Sequence, residues 1–153
     1  INAIRRELLN LESAGILKSR KETNKIVFTL NKENAIVEDL REVILKASTL
    51  GQRIAKIGTQ SGKVDAIVIS NSFLTNQYND DNDIDILFVG DFDLRKLAQN
   101  MKDFEAAQAK EYRYAALSLQ DFDFGKKKRT PVILNIISND FVVVAGSVKK
   151  LVM

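Results

Sequence analysis

The chain contains no cysteine, no histidine and no tryptophan, and only one proline. Without cysteine there is no disulfide framework, no thiolate zinc site and no thiol nucleophile. Without histidine there is no Ser-His-Asp triad, no imidazole base and no histidine metal ligand. A metal would have to be held by oxygen, which favours Mg²⁺, Mn²⁺ or Ca²⁺ over zinc. Long hydrophobic runs are absent too: stretches such as Phe141 to Ala145 are far too short to span a bilayer. Residues 1–14 carry Arg5, Arg6, Glu7 and Glu12 and lack the apolar segment of a signal peptide. Together these absences predict a cytoplasmic location and no membrane partner. The sequence also has no P-loop, no Gly-x-Gly-x-x-Gly and no Gly-x-Ser-x-Gly. It begins at Ile1 rather than Met, so Ile1 is not expected to be the natural start of translation.

What is there is an ordinary globular composition, 45% hydrophobic and 28% charged over 153 residues. That is enough chain for one domain or two small ones with a real core. The charge is unevenly spread. Residues 1–32 hold seven basic side chains against three acidic, a net of +4. Residues 33–153 hold 16 basic and 17 acidic, a net of −1. The pattern is that of a small basic reader on a near-neutral body.

Hydrophobic spacing predicts a helix over residues 2–14, with Ile4, Leu8, Leu9 and Leu11 as its apolar stripe and Gly15 as its stop. Two short strands follow, Ile16 to Arg20 and Lys25 to Leu30, around a polar tip; Ile26, Phe28 and Leu30 share a face. Asn31 or Asn34 caps the next helix, whose buried side is Ile36, Val37, Leu40, Val43, Ile44 and Ala47. Gly51 interrupts it, a shorter helix runs from Gln52 to Ile57, and Gly58 to Gly62 is a loop and module boundary. Then come a strand from Val64 to Ser70, a polar irregular stretch to Asp81, and a strand from Ile84 to Val89 ended by Gly90. A helix from Leu94 to about Gln108 leads to a strand from Tyr112 to Leu119. The chain finishes with a polar stretch from Asp121 to Thr130, a helix from Pro131 to Ile137 and a strand from Phe141 to Ala145.

The segment LNLESAGILKSRKETNKIVFTLN, with Leu11, Glu12, Ala14, Gly15 and Leu17, resembles the end of a winged helix-turn-helix of the arsenic-repressor type. The resemblance implies a recognition helix entering the major groove of double-stranded DNA and a hairpin wing along the phosphates. Arg5 and Arg6 then become base or phosphate contacts, and Lys18, Arg20, Lys21 and Lys25 phosphate contacts. It also implies a homodimer reading a pseudo-palindromic site. The earlier helices of such a module are missing from this sequence, which starts inside the recognition helix.

A second informative segment is VDAIVISNSFLTNQYNDDNDIDILFVG, residues 64–90. Asp83-Ile84-Asp85 on a strand puts both carboxylates on one face. Side by side they repel unless a cation lies between, so they form an oxygen site for Mg²⁺. The alternative is a polar loop, Asn79 to Asn82, that is simply solvated. An apolar strand, a serine turn, about ten residues and Asp-x-Asp resemble the minimal nucleotidyltransferase fold of the DNA polymerase β superfamily. The resemblance implies that Ser72 and Asn71 touch a triphosphate and that Asp83 and Asp85 are catalytic and hold Mg²⁺. It also exposes losses. Asn71 replaces the expected glycine, the basic residue after it is gone, and Arg113 stands where a third carboxylate is expected, unless Glu111 serves. An arginine there could take the place of a metal by pairing with Asp83 or Asp85.

The expected fold is α+β: a partial winged helix over 1–32, linking helices over 33–57, and a nucleotidyltransferase-like mixed sheet with flanking helices over 58–153. The expected function is a DNA-binding transcriptional regulator whose second domain is degenerate and used for sensing a nucleotide ligand or for assembly. The alternative is an active Mg²⁺-dependent nucleotidyltransferase, antitoxin-like, acting on a protein or small acceptor. Lys126 to Arg129 read as a solvated loop, and Phe122, Phe124, Tyr112 and Tyr114 as core or interface.

Overall fold

The computed structural model describes residues 2–79 and 81–147, with the side chain of Glu38 left out. Ile1 and Asp80, on which parts of the sequence reading fell, lie outside the described residues. By contact density the chain divides into two compact units, Ile1–Ile44 and Leu45–Met153. It is a mixed α+β protein, and no helix among the described residues is long and apolar enough to cross a membrane.

The first unit is a helix, a hairpin and the start of a second helix. α1 (Asn2–Ser13) ends where Gly15 takes a φ of 74°, a left-handed conformation that glycine adopts without a Cβ penalty. The Gly15 N–H donates to Glu12 O and the Ile16 N–H to Leu11 O, which satisfies the last carbonyls of the helix. β1 (Leu17–Glu22) and β2 (Lys25–Leu30) pair antiparallel from Leu17↔Leu30 to Glu22↔Lys25 around a two-residue turn. Two asparagines fix the hairpin's root: the side-chain amides of Asn31 and Asn34 both donate to Gly15 O at 2.9 Å. Asn34 also caps α2 (Ala35–Ala47) by accepting from the Ile36 N–H.

The apolar stripes of this unit are less covered than their spacing predicts. α1 has no buried residue; Leu8 is half-buried while Ile4, Leu9 and Leu11 are exposed. On α2, Val37 is buried but Ile36, Val43 and Ile44 are exposed. Periodicity reports that a helix has an apolar side, not which element covers it.

The second unit is built on a four-stranded sheet, β3 (Gly62–Ser70), β4 (Ile86–Phe92), β5 (Tyr114–Leu117) and β6 (Phe141–Gly146), in the order β5-β4-β3-β6. β3 is antiparallel to both β4 and β6, while β5 runs parallel to β4. Both faces are covered. Ile67, Ile69, Ile86 and Phe88 pack with Ile54 and Ile57 of α3 (Thr49–Ser61) and Leu97, Met101 and Phe104 of α5 (Leu94–Gln108). Ala66, Val68, Leu87, Val89 and Val143 pack with Phe122 of α6 (Leu119–Lys128) and with Ile133 and Ile136 of α7 (Pro131–Ile137). Strands buried on both faces read as continuous apolar runs, which is why VDAIVIS and ILFV stand out.

Four expectations change. The break between α2 and α3 falls at Ser48, whose hydroxyl accepts from the Gly51 N–H as a helix cap, so Gly51 begins a helix instead of ending one. α3 runs on through Gly58 to Ser61, and β3 starts directly at Gly62 with no loop between. β4 continues through Gly90 to Phe92, because Gly90 faces an irregularity in β3 where Val64 and Ala66 change register. The polar stretch from Asp121 to Thr130 is mostly the helix α6, which shortens the preceding strand to Tyr114–Leu117.

Candidate functional site

Asp83 and Asp85 sit just before β4, at the end of the sheet where β3 stops. Ser70, the last residue of β3, holds this corner. Its N–H donates to Asp85 O, its hydroxyl donates to Ile84 O, and the same hydroxyl accepts from the Phe73 N–H. That last bond caps α4 (Asn71–Thr75), so Asn71 and Ser72 lie on a helical turn rather than on the strand's tip, both half-buried.

Both aspartates are buried, with relative exposures of 4% and 3%. Such carboxylates must be satisfied by donors or by a cation. Here each of the four oxygens accepts from the protein. Asp83 Oδ2 accepts from the Asn79 N–H at 2.5 Å and Oδ1 from the Asn135 side-chain amide at 3.2 Å. Asp85 Oδ1 accepts from the Tyr78 hydroxyl at 2.5 Å and Oδ2 from the Arg113 N–H at 2.9 Å. The pair thus ties the loop over 76–79 to Arg113, the residue before β5, and to Asn135 of α7.

Arg113 stands beside Asp85 in the continued β4–β5 register: the Asp85 N–H donates to Arg113 O at 2.7 Å. Its guanidinium, however, lies over the Tyr78 ring, 5.1 Å from the centroid. Among the described residues it makes no ion pair with either carboxylate. The expected pairing of the Arg113 side chain with Asp83 or Asp85 is therefore not seen: its backbone N–H donates to Asp85 and its guanidinium covers the Tyr78 ring. Glu111 is exposed, and no group of three or more acidic residues placed to hold a metal occurs among the described residues. Each carboxylate oxygen thus has one lone pair engaged by a protein donor, and a Mg²⁺ ion, which needs near-octahedral oxygens at short range, would have to share these oxygens with those donors.

Tyr78, Asn79, Asn135 and Ser70 complete this corner and were not singled out in the sequence. Tyr78 had a signal, being the one aromatic in a run of amides and acids, and Asn135 another, as the polar residue inside PVILNII. Tyr78 is 37% exposed as a whole, but partial burial of its hydroxyl end, the hydrogen bond to Asp85 and the charges of Asp85 and Asp83 push the phenol up to about 12, while Arg113 opposes the rise. Burial also raises Tyr112 and Tyr114. A raised folded-state phenol contributes stability that is full below pH about 10 and is lost as pH rises towards 12. A spectrophotometric titration of the folded protein is expected to show a phenolate step near pH 12 that Tyr78→Phe removes. A Tyr78 titrating at the ordinary value would contradict the bond to Asp85.

The basic residues of the first unit form a second surface. Lys18, Arg20 and Lys25 share one face of the hairpin, and Lys21 the other, beside Ile26 and Phe28. All four are exposed. Lys18 pairs with Glu33 at 2.7 Å, Arg20 with Glu22 at 2.6 Å, and Arg6 with Glu7 at 3.7 Å. Lys18 holds the Glu33 carboxyl below its ordinary range. Arg5, Lys21 and Lys25 have no ion-pair partner among the described residues. Exposed pairs of this kind are weak and exchange readily for another anion. Glu12 accepts from both the Ser19 N–H and hydroxyl, which clips the hairpin to α1.

The chain matches no family model, and no curated protein and no solved structure is significantly similar to it.

Proposed function

We propose that the chain is a DNA-binding transcriptional regulator, with the first unit as a winged-helix element and the second as a nucleotidyltransferase-like body that does not catalyse. The observation that carries this reading is the hairpin, an exposed basic ribbon fixed to α1 by Gly15, Asn31, Asn34 and Glu12. A rigid ribbon with cations on both faces suits duplex phosphates, which supply sequence-independent affinity while a helix reads bases. The carboxylate pair supports the non-catalytic half of the reading, because its oxygens accept protein donors and Arg113 stands where a third acid would help hold metal. Assembly as a homodimer on a two-fold site belongs to the same proposal.

The test is fluorescence anisotropy of a labelled duplex across a salt series. Wild type is expected to bind at low salt and weaken steeply as salt rises. Lys21→Gln combined with Lys25→Gln should lower the log–log salt slope by roughly 2, one unit for each lost phosphate contact. No duplex binding at low salt, or an unchanged slope in the double variant, overturns the proposal.

A further inference from the structure

Of the four consecutive cations Lys126 to Arg129, the structure places Lys126, Lys127 and Lys128 in the last turn of α6 in the second unit and Arg129 at its C-cap. This helix is firmly seated. Phe122 is fully buried against the sheet, Ser118 caps the first turn, and Arg129 closes the last with a left-handed φ of 55°. Two residues after Phe122, Phe124 is 62% exposed. It shares a helix face with Lys127 and Lys128, at i+3 and i+4. The Lys128 ammonium lies 5.8 Å from the Phe124 ring centroid. Lys127, Lys128 and Arg129 are exposed, and no carboxylate pairs with them among the described residues.

Lysines in the last turn complement the helix dipole, which is reason enough for the cations. Phe124 is one of several exposed large apolar residues, and what sets it apart is three cations without a carboxylate partner among the described residues at the same end of its helix. A flat apolar ring with cations around it is complementary to a polyanion that also offers unstacked planar bases. We propose that the Phe124–Lys127–Lys128–Arg129 knob binds single-stranded nucleic acid, with a base stacked on Phe124 and neighbouring phosphates on the cations. Duplex DNA offers no free base face to the ring. An anionic membrane would attract the lysines, but insertion draws on a broad apolar helix face, and on α6 Phe124 is the one exposed large apolar residue. The site is separate from the hairpin and goes beyond the duplex-binding reading.

The experiment uses the whole chain and a labelled oligothymidylate of about 15 nucleotides. Phe124→Ala is expected to weaken binding about tenfold, and Phe124→Tyr, which keeps the ring, to restore it. Lys127→Gln with Lys128→Gln should lower the single-strand salt slope by roughly 1.4. Duplex affinity should be unchanged in Phe124→Ala, and oligothymidylate affinity unchanged in the Lys21→Gln, Lys25→Gln variant, so this site and the hairpin can fail separately. All these positions are exposed, and a thermal melt confirms folding. The proposal is overturned if wild type does not bind the oligonucleotide or if Phe124→Ala binds as wild type does. It is overturned equally if the knob variants instead lose binding to phosphatidylserine vesicles.

Discussion

Asp85→Ala is expected to destabilise the second unit by about 3 kcal/mol. The variant removes the acceptor for both the Tyr78 hydroxyl and the Arg113 N–H. Hydrogen bonds to an ionised group each contribute roughly 1.5–3 kcal/mol, and part of the loss is offset by relief of repulsion from Asp83. Asp85→Asn keeps one acceptor oxygen and should lose about half as much. The sign is the informative part. Two acids facing an open metal cleft repel each other when the metal is absent, so removing one would leave stability unchanged or raise it. A fall in the urea midpoint without a change in slope is the expected outcome. A midpoint at or above that of wild type would mean that Asp85 is not a structural tie.

Gly90→Ala should cost about 3 kcal/mol or more. A Cβ at this position would stand 2.2 Å from the Lys63 carbonyl oxygen and 3.1 Å from the Asp65 nitrogen, both backbone atoms of the neighbouring strand. Its φ of 154° is one that side-chain-bearing residues seldom adopt. Backbone cannot swing aside as a long side chain can, so β3 and β4 must separate where their register shifts. This lies at the far end of β3 from Ser70, and the expected result is a lower thermal midpoint. An alanine variant as stable as wild type would show that the two strands are not this close.

Much of the fold is readable from the residues because both sheet faces are covered. Burial on two sides forces the apolar runs of β3, β4 and β6, and Pro131 marks the start of α7. α6 is harder to see, since three lysines and Gly125 hide its apolar side. Its start was nonetheless written in Ser118 and Asp121, a reciprocal cap in which the Ser118 hydroxyl accepts from the Asp121 N–H and donates to its carboxylate. Gly15 ends a helix as its position suggests, but three other glycines do not act as stops. Gly51 lies in the first turn of α3, Gly58 is within that helix, and Gly90 permits close backbone approach, so none of them ends an element. Spacing placed Asp83 and Asp85 on a strand, but β4 starts only at Ile86, and spacing carries no information on what approaches the two acids. Tyr78 and Asn79 reach the pair because α4 turns the chain back after Ser70, and Asn135 reaches it from 52 residues away. The exposure of Phe124 likewise depends on which side of α6 meets the sheet, which Phe122 decides.

The most direct test of the claim that this carboxylate pair ties loops together instead of holding a catalytic metal is calorimetric titration of a nucleoside triphosphate with and without Mg²⁺. Wild type and Asp83→Asn are compared under the same conditions. The account predicts no Mg²⁺-dependent binding to wild type and no difference between the two proteins with Mg²⁺ present. Mg²⁺-dependent binding to wild type that Asp83→Asn abolishes would contradict it and favour the nucleotidyltransferase.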